Sequence, residues 1–152
     1  MAMDLDSIIH RWFEEVWNQG REETVDELFA ADTIAHGLGE ENAASSGPEG
    51  FKAFLRNMRS AFPDVRIVVE DTVVQGDKVA ARVLLQATHG GEGLGLKPTN
   101  RRVSVSGIIM ARIVNGKVVE SWNSWDQLGL LRQLGASPHD YQQDRFLSRP
   151  VG

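Results

Sequence analysis

Residues 121–131 carry the side chains with the clearest chemical potential, in the run Ser-Trp-Asn-Ser-Trp-Asp-Gln-Leu-Gly-Leu-Leu. Trp122 and Trp125 stand just before Asp126, where a predicted strand ends. Indole rings that exclude water disfavour a charged carboxylate and so raise its pKa. A carboxylate with a raised pKa can take and return a proton near neutral pH. The run therefore predicts Asp126 as a buried proton shuttle. The alternative is an aspartate that caps the following helix.

Two histidines and an arginine are further candidates for a polar site. His36 opens a small polar segment and His89 ends a predicted strand. Neutral imidazole both donates and accepts a hydrogen bond, so either ring can relay a proton or hold a substrate oxygen. The alternative for both is a histidine that is satisfied in the core or faces solvent. Arg82 alternates with apolar neighbours, and it either pairs with a carboxylate in the pocket or lies on the surface.

Strand alternation raises a difficulty for Asp126. Asn123 and Ser121 share one face of the last predicted strand, and each can donate to an enolate oxygen. Asp126 falls on the opposite face, with Glu120. It points inward only if the strand bulges near Ser124 or has already ended there. Asn123 is therefore a second polar candidate for the pocket. The residues predicted to contact a ligand are Phe51, Arg82, Trp122, Asn123 and Trp125.

Composition excludes several classes of function. Sixteen Lys plus Arg against 21 Asp plus Glu give a net charge of −5, which argues against a nucleic-acid partner. The chain has no cysteine, so a disulfide framework or a thiolate site is excluded. Its histidines lack metal-ligand spacing, and its glycines do not form a phosphate loop. We expect no metal and no cofactor.

The N-terminal residues are acidic and amphipathic, unlike a signal peptide with its basic start and apolar run. No apolar run reaches the ~20 residues of a membrane span. We therefore expect a cytoplasmic protein without a membrane partner.

The period of the hydrophobic pattern changes at Pro63. Before it, apolar residues recur at helical spacing; after it, Val- and Ile-rich runs alternate and are separated by tight turns. The predicted helices span 4–18, 22–29 and 48–62. The predicted strands span 65–74, 78–89, 102–114 and 117–125. This order predicts an α+β fold with the helices on one face of a sheet. We expect one domain, 1–135, and a polar C-terminal tail, 136–152.

Five short segments, in this order, resemble the SnoaL-like polyketide cyclase (ester cyclase) family. They are Gly47–Lys52, Ala61–Asp64, Gly76–Arg82, Thr88–Glu92 and Trp125–Gly129. The resemblance covers about Ile8 to Gly135. It implies the cone-shaped fold of ketosteroid isomerase, scytalone dehydratase and nuclear transport factor two. In that fold a strongly curved, antiparallel or mixed sheet and its helices enclose an apolar pocket, and dimers are common.

The resemblance also implies an activity. Polyketide cyclases of this family close a ring by intramolecular aldol addition without a cofactor, and an aspartate moves the proton. That role falls on Asp126. We therefore expect an acid–base enzyme of cyclase, isomerase or hydrolase type acting on an apolar, oxygenated small molecule. The alternative is a non-catalytic binding or dimerisation module, because a fold provides a pocket and not a reaction.

Apolar residues on both faces of one predicted strand indicate a homodimer. Val105, Ile109 and Ile113 share one face, and Ile108 and Met110 share the other. One face is expected to line the pocket. The other is expected to meet a second subunit and to bury on the order of 1,200–2,000 Å² in total.

Overall fold

A computed structural model of the chain describes residues 4–38 and 47–136. The elements are α1 (Leu5–Arg11), a π-helix (Trp12–Asn18), α2 (Glu22–Leu28), β1 (Phe29–His36), α3 (Gly47–Ala61), β2 (Arg66–Gln75), β3 (Lys78–Thr88), β4 (Arg102–Val114), β5 (Lys117–Trp125) and α4 (Gln127–Leu134). The predicted α+β class is confirmed, with the predicted helices and strands near their expected limits. None of the described helices is long and apolar enough to cross a membrane. Beyond Ala136, the predicted tail lies outside the described residues.

Within the described residues the sheet is open and has the strand order β1-β5-β4-β3-β2. Strands β2 to β5 form an antiparallel meander, because each strand pairs antiparallel with the next one along the chain. Asn115 and Gly116 have φ values of 53° and 77°. These values suit the tight turn that matches the twist of a hairpin. The predicted β4–β5 hairpin is therefore formed.

Strand β1 was not expected from the sequence. It pairs in parallel with β5, with Ala35 opposite Ser121 and His36 opposite Trp122. Its burial pattern alternates only in its second half, after an irregularity between Phe29 and Ile34. A strand with so little alternation gives a weak periodic signal. The sheet is therefore mixed.

The inner face of the sheet packs against the helices and carries the core. Alternate residues of β3 and β4 are buried, among them Val83, Val105 and Ile109. Their neighbours point to the outer face, where Ile108 is 55% exposed and Met110 36% exposed. Of the two apolar faces expected from alternation, the one with Val105 and Ile109 is the inner face and the one with Ile108 and Met110 is the outer face. The inner one is closed by helices, and none of the residues that the structure describes covers the outer one.

The first predicted helix changes geometry at Trp12. Residues five apart on an α-helix are separated by about 140° around the axis. A π-helix bonds residue i to i+5, which brings such residues to one side; here the N–H of Gln19 donates to the carbonyl of Glu14 (3.1 Å). Trp12 and Trp17 both become buried. The wider turn thus directs two indoles at the sheet.

His89 joins the two ends of the glycine-rich loop between β3 and β4. Its backbone N–H donates to the carbonyl of Arg101 and its carbonyl accepts from Asn100, both at 2.9 Å. Its Nδ1 accepts from the N–H of Thr99 (3.2 Å). A neutral ring with an accepting Nδ1 carries its proton on Nε2, and Nε2 has no partner among the described residues. Burial lowers the pKa of the His89 imidazole.

This lowered pKa predicts a dependence of stability on pH. The folded state binds the His89 proton less readily than the unfolded state does. The stabilising contribution is therefore full above the free-imidazole pKa of about 6.5, and it is lost as pH falls towards the folded pKa. We measure the free energy of unfolding in urea between pH 7.5 and pH 5. The wild type should lose stability as pH falls, and His89→Gln should reduce this loss by up to about 1.4 kcal/mol per pH unit. His10→Gln, at a half-exposed site, should keep the wild-type slope. Equal slopes in all three proteins would contradict the prediction.

Candidate functional site

Two neighbouring cavities lie between the inner face of the sheet and the helices. The first is walled by Trp12, Phe13, Trp17, Phe29, Phe51, Ile109, Val118, Ser121, Asn123 and Trp125, among others. The second is walled by Trp17, Phe54, Met58, Phe62, Leu85, Val105, Trp125, Gln127 and Leu130. The space between the lining atoms reaches about 420 Å³ in each only when the open solvent at the mouth is counted. The room for the centre of a water molecule is only about 20 and 30 Å³, which holds one or two waters.

A β-bulge decides which residues of β5 line the first cavity. Val118 pairs with Ile113 and Glu120 pairs with Arg112, so Val119 is the extra residue. Val118 and Ser121 are three apart, and in a regular strand they would lie on opposite faces. The bulge places both on the inner face. It also turns Asn123 and Trp125 inward, where they line the same cavity.

Ser121 and Asn123 supply the polar groups of the first cavity. The Asn123 Nδ2 donates to the carbonyl oxygen of His36 (2.9 Å) and lies 3.4 Å from the Ser121 Oγ. A carbonyl oxygen only accepts, so this contact orients the amide. Among the described residues nothing else pairs with the Ser121 hydroxyl proton or the Asn123 Oδ1, so both remain for a ligand. Together they suit a substrate carbonyl or enolate oxygen beside a hydroxyl group.

Gly37 allows the chain after β1 to approach β5 at this point. Its φ is 83°, and a Cβ there would lie 2.0 Å from the Asn123 carbonyl oxygen. Only glycine fits such a conformation and such a contact without strain. Gly37 therefore helps to position the carbonyl of His36 against the Asn123 amide.

The structure corrects the prediction that Asp126 is a buried carboxylate in the pocket. Alternation continues from Asn123 through Trp125, with no second bulge near Ser124. Asp126 consequently lies on the outer face, where it is exposed and borders an open groove with Arg82 and Ser124. Its Oδ1 accepts from the N–H of Gly129 (2.9 Å) at the start of α4. This is the helix-cap alternative.

Three other predicted residues also lie on the outer face. The His36 ring stacks on Trp122 with centroids 5.7 Å apart, and its Nε2 lies 2.8 Å from the Glu120 carboxylate. Arg82 is exposed and donates to Glu70 (2.7 Å), which is the surface alternative. The prediction that these residues share a pocket with Asn123 is wrong, because the strand faces separate them.

The first cavity does bring together three predicted ligand contacts, Phe51, Asn123 and Trp125. His89 is fully buried but lines neither cavity. Sequence reasoning missed the contribution of the first helix. Its apolar stripe predicts core packing, and nothing in the spacing distinguishes core from cavity wall. The missed residues are Ile9, Trp12, Phe13 and Trp17.

Among the described residues, no titratable side chain lines either cavity. The walls are apolar and aromatic, and their polar groups are neutral. Such a cavity can bind an apolar molecule and hold its oxygens. It can also stabilise negative charge that develops on oxygen during a reaction.

The cap geometry makes a prediction about Asp126. Asp126→Ala should lower the free energy of unfolding by about 1 kcal/mol, because the Gly129 amide loses its acceptor. Asp126→Asn should cost much less, because asparagine caps helices equally well. Urea denaturation measures both, with Asp32→Ala at an exposed site of β1 as the control. Equal losses for Asn and Ala would count against the cap.

Comparison with known proteins agrees with this architecture. Residues 7–134 match the SnoaL-like polyketide cyclase family. The aklanonic acid methyl ester cyclase DnrD of Streptomyces peucetius is 32% identical over 136 residues, which is 89% of this chain and 92% of that protein. The nogalonic acid methyl ester cyclase of Streptomyces nogalater is 32% identical over 125 residues, covering 78% of this chain and 89% of its own.

Solved structures give the same result. TsrD from Streptomyces laurentii has a TM-score of 0.76 and 30% identity, over 88% of this chain and 98% of its own. Wild-type IdmH from Streptomyces antibioticus has a TM-score of 0.74 and 31% identity, over 86% and 98%. The resemblance found in the sequence is therefore confirmed in the fold. The chain belongs to the SnoaL-like polyketide cyclase family.

Proposed function

We propose that the protein is a cofactor-independent cyclase that closes a carbon ring in an apolar, oxygen-rich polyketide by intramolecular aldol addition. The observation that carries this proposal is the first cavity, where apolar walls surround the Ser121–Asn123 pair. Two relatives, named aklanonic acid methyl ester cyclase and nogalonic acid methyl ester cyclase, support this substrate class.

An aldol addition needs acid–base groups and no redox partner. A proton leaves the carbon beside one carbonyl group, and the enolate carbon bonds to the carbon of a second carbonyl group. The second C=O loses its π bond, and its oxygen takes up a proton. The product is an isomer of the substrate, so no atoms or electrons are gained or lost.

In this proposal Ser121 donates to the oxygen on which negative charge develops, and Asn123 Oδ1 accepts from a substrate hydroxyl. Removing one such donor typically lowers turnover by about 10²–10³. The described lining lacks a carboxylate or imidazole. The proposal therefore requires a substrate whose carbon acid is activated by two flanking carbonyl groups, as in a β-keto ester. In this proposal water at the cavity mouth accepts the proton.

The same lining favours a second candidate, a binding protein that does no chemistry. A neutral apolar cavity needs no titratable group to hold a ligand. The two candidates differ in turnover and not in affinity.

Aklanonic acid methyl ester, the compound that appears in the name of the relative DnrD, is a suitable test substrate. We expect Ser121→Ala to lower kcat/KM by about 100-fold, because it removes the donor to the oxygen on which negative charge develops. Asn123→Leu removes the acceptor for the substrate hydroxyl and should also lower kcat/KM, because the substrate is then held less well in the reactive geometry. Ring closure is followed by chromatography of substrate and product.

Ser124→Ala is the matched control, because Ser124 is an exposed residue of the same strand on its outer face. It should keep wild-type turnover. An equal loss in Ser124→Ala would contradict the assignment of the site. Binding by the wild type without any ring closure would favour the binding protein.

We further propose that the outer face of the sheet forms a homodimer. Ile34, Ile108 and Met110 are 41%, 55% and 36% exposed. Ile108 and Met110 alternate on β4 next to Trp122, which faces Met110 across β4 and β5. Contiguous exposed apolar side chains of this kind typically mark an interaction surface. A second copy of the same face would cover them symmetrically.

Sedimentation at micromolar concentration tests the dimer. We expect the wild type to have twice the chain mass and Ile108→Lys to be monomeric, because a buried unpaired charge opposes association. Val74→Lys changes an exposed valine (46%) on β2 that pairs with the buried Val79 and therefore lies on the opposite face of the sheet from Ile108, so it should remain dimeric. A monomeric wild type would overturn the proposal.

A further inference from the structure

We propose that Trp125 is a removable partition that sets the size of ligand the protein admits. This inference rests on the proposed function only in taking the two cavities as the ligand site. Within the part of the chain that the structure describes, Trp17 and Trp125 are the residues common to both linings. They therefore stand between one cavity and the other.

The cavities are too small for a polycyclic ligand while the indoles remain in place. The free room of about 20 and 30 Å³ holds one or two waters. Pockets for small organic molecules typically measure about 300–1,000 Å³. A fused-ring compound that spans both cavities must therefore displace a wall residue. Trp17 and Trp125 are the two that separate them.

Trp17 is the less movable of the two. It is 4% exposed and belongs to the π-helix. Its ring makes edge contacts with Phe51 and Phe54, with centroids 6.1 Å away in both cases. Moving it would disturb the aromatic cluster that joins the helices.

Trp125 rests on a residue without a side chain. It pairs with Gly107 across β4 and β5. A Cβ on Gly107 would lie 2.5–2.9 Å from three carbon atoms of the indole ring. The φ of Gly107 is not in the left-handed region, so its backbone does not require glycine. The indole of Trp125 therefore occupies the space that a side chain at position 107 would fill.

Trp125 is partly exposed, at the end of β5, and so lies where a side chain can rotate towards solvent. When its ring leaves Gly107, the two cavities join. The Ser121–Asn123 pair then lies at one end of the combined space, and apolar residues such as Phe62 and Val105 lie at the other. This arrangement fits a fused polycyclic ligand with its oxygenated end in the first cavity.

The test compares two probes by calorimetry: 1-naphthol, with two fused rings, and 1,8-dihydroxyanthraquinone, with three. The smaller probe needs only one compartment to widen, whereas the larger one spans both and must displace the indole. We expect Trp125→Ala to raise the affinity ratio of the larger to the smaller probe at least tenfold. Using the ratio cancels the contact that both probes lose with the indole.

Trp125→Leu keeps apolar bulk and should shift the ratio in the same direction, so it carries the test if Trp125→Ala does not fold. Trp122→Ala is the matched control, because Trp122 lies on the outer face of the same strand. It should keep the wild-type ratio.

An unchanged ratio in a folded Trp125 variant, or an equal shift in Trp122→Ala, would overturn the partition. Neither measurement requires turnover. A shifted ratio in a protein without cyclase activity would refute the proposed function and leave the partition standing.

Discussion

One extra residue, Val119, determines which side chains of β5 reach the interior. Strand alternation would otherwise separate Val118 from Ser121. The bulge aligns both with Asn123 and Trp125, so the only β5 polar groups in the first cavity owe their position to it. The same register sends Asp126 to the outer face, where it caps α4. Apolar wall, polar pair and helix cap thus follow from a single register shift.

The interior is held together by the rings that also occupy the ligand space. Trp12 stacks on Phe29 with centroids 4.5 Å apart, and Phe51 contacts both rings at 4.9 and 5.3 Å. Aromatic pairs contribute about 0.5–1.5 kcal/mol beyond their buried area. A core that is closed around its own side chains is stable without a ligand. Binding must then replace internal contacts with ligand contacts, a conflict between stability and activity that is common in functional sites.

Much of the fold is predictable from local pattern. Alternation identifies β3 and β4, and helical spacing with Pro48 at the start identifies α3. The error over Asp126 came from treating nearby indoles as its surroundings. Trp122 and Trp125 are three apart in a regular stretch of strand, so they face opposite sides and cannot enclose one carboxylate. Strand parity pointed to this result, whereas local composition did not.

The rest of the site depends on long-range contacts. The bulge at Val119, the π-helix at Trp12 and the pairing of β1 with β5 arise from packing between distant segments. None has a distinctive local signature, since propensity and periodicity describe only neighbouring residues. The apolar stripe of the first helix was predictable, but its role as a cavity wall was not.

The parallel pairing of β1 with β5 has a consequence for folding. Strands β2 to β5 can form through successive neighbours, but β1 must join a partner about 90 residues further along, with Phe29 opposite Val118. Contacts so distant in sequence incur the loop-closure entropy before they add stability, and they slow folding. We therefore expect β1 to dock after the meander has formed. Until then the Asn123 amide lacks the His36 carbonyl that orients it, so the polar end of the cavity is completed late in folding.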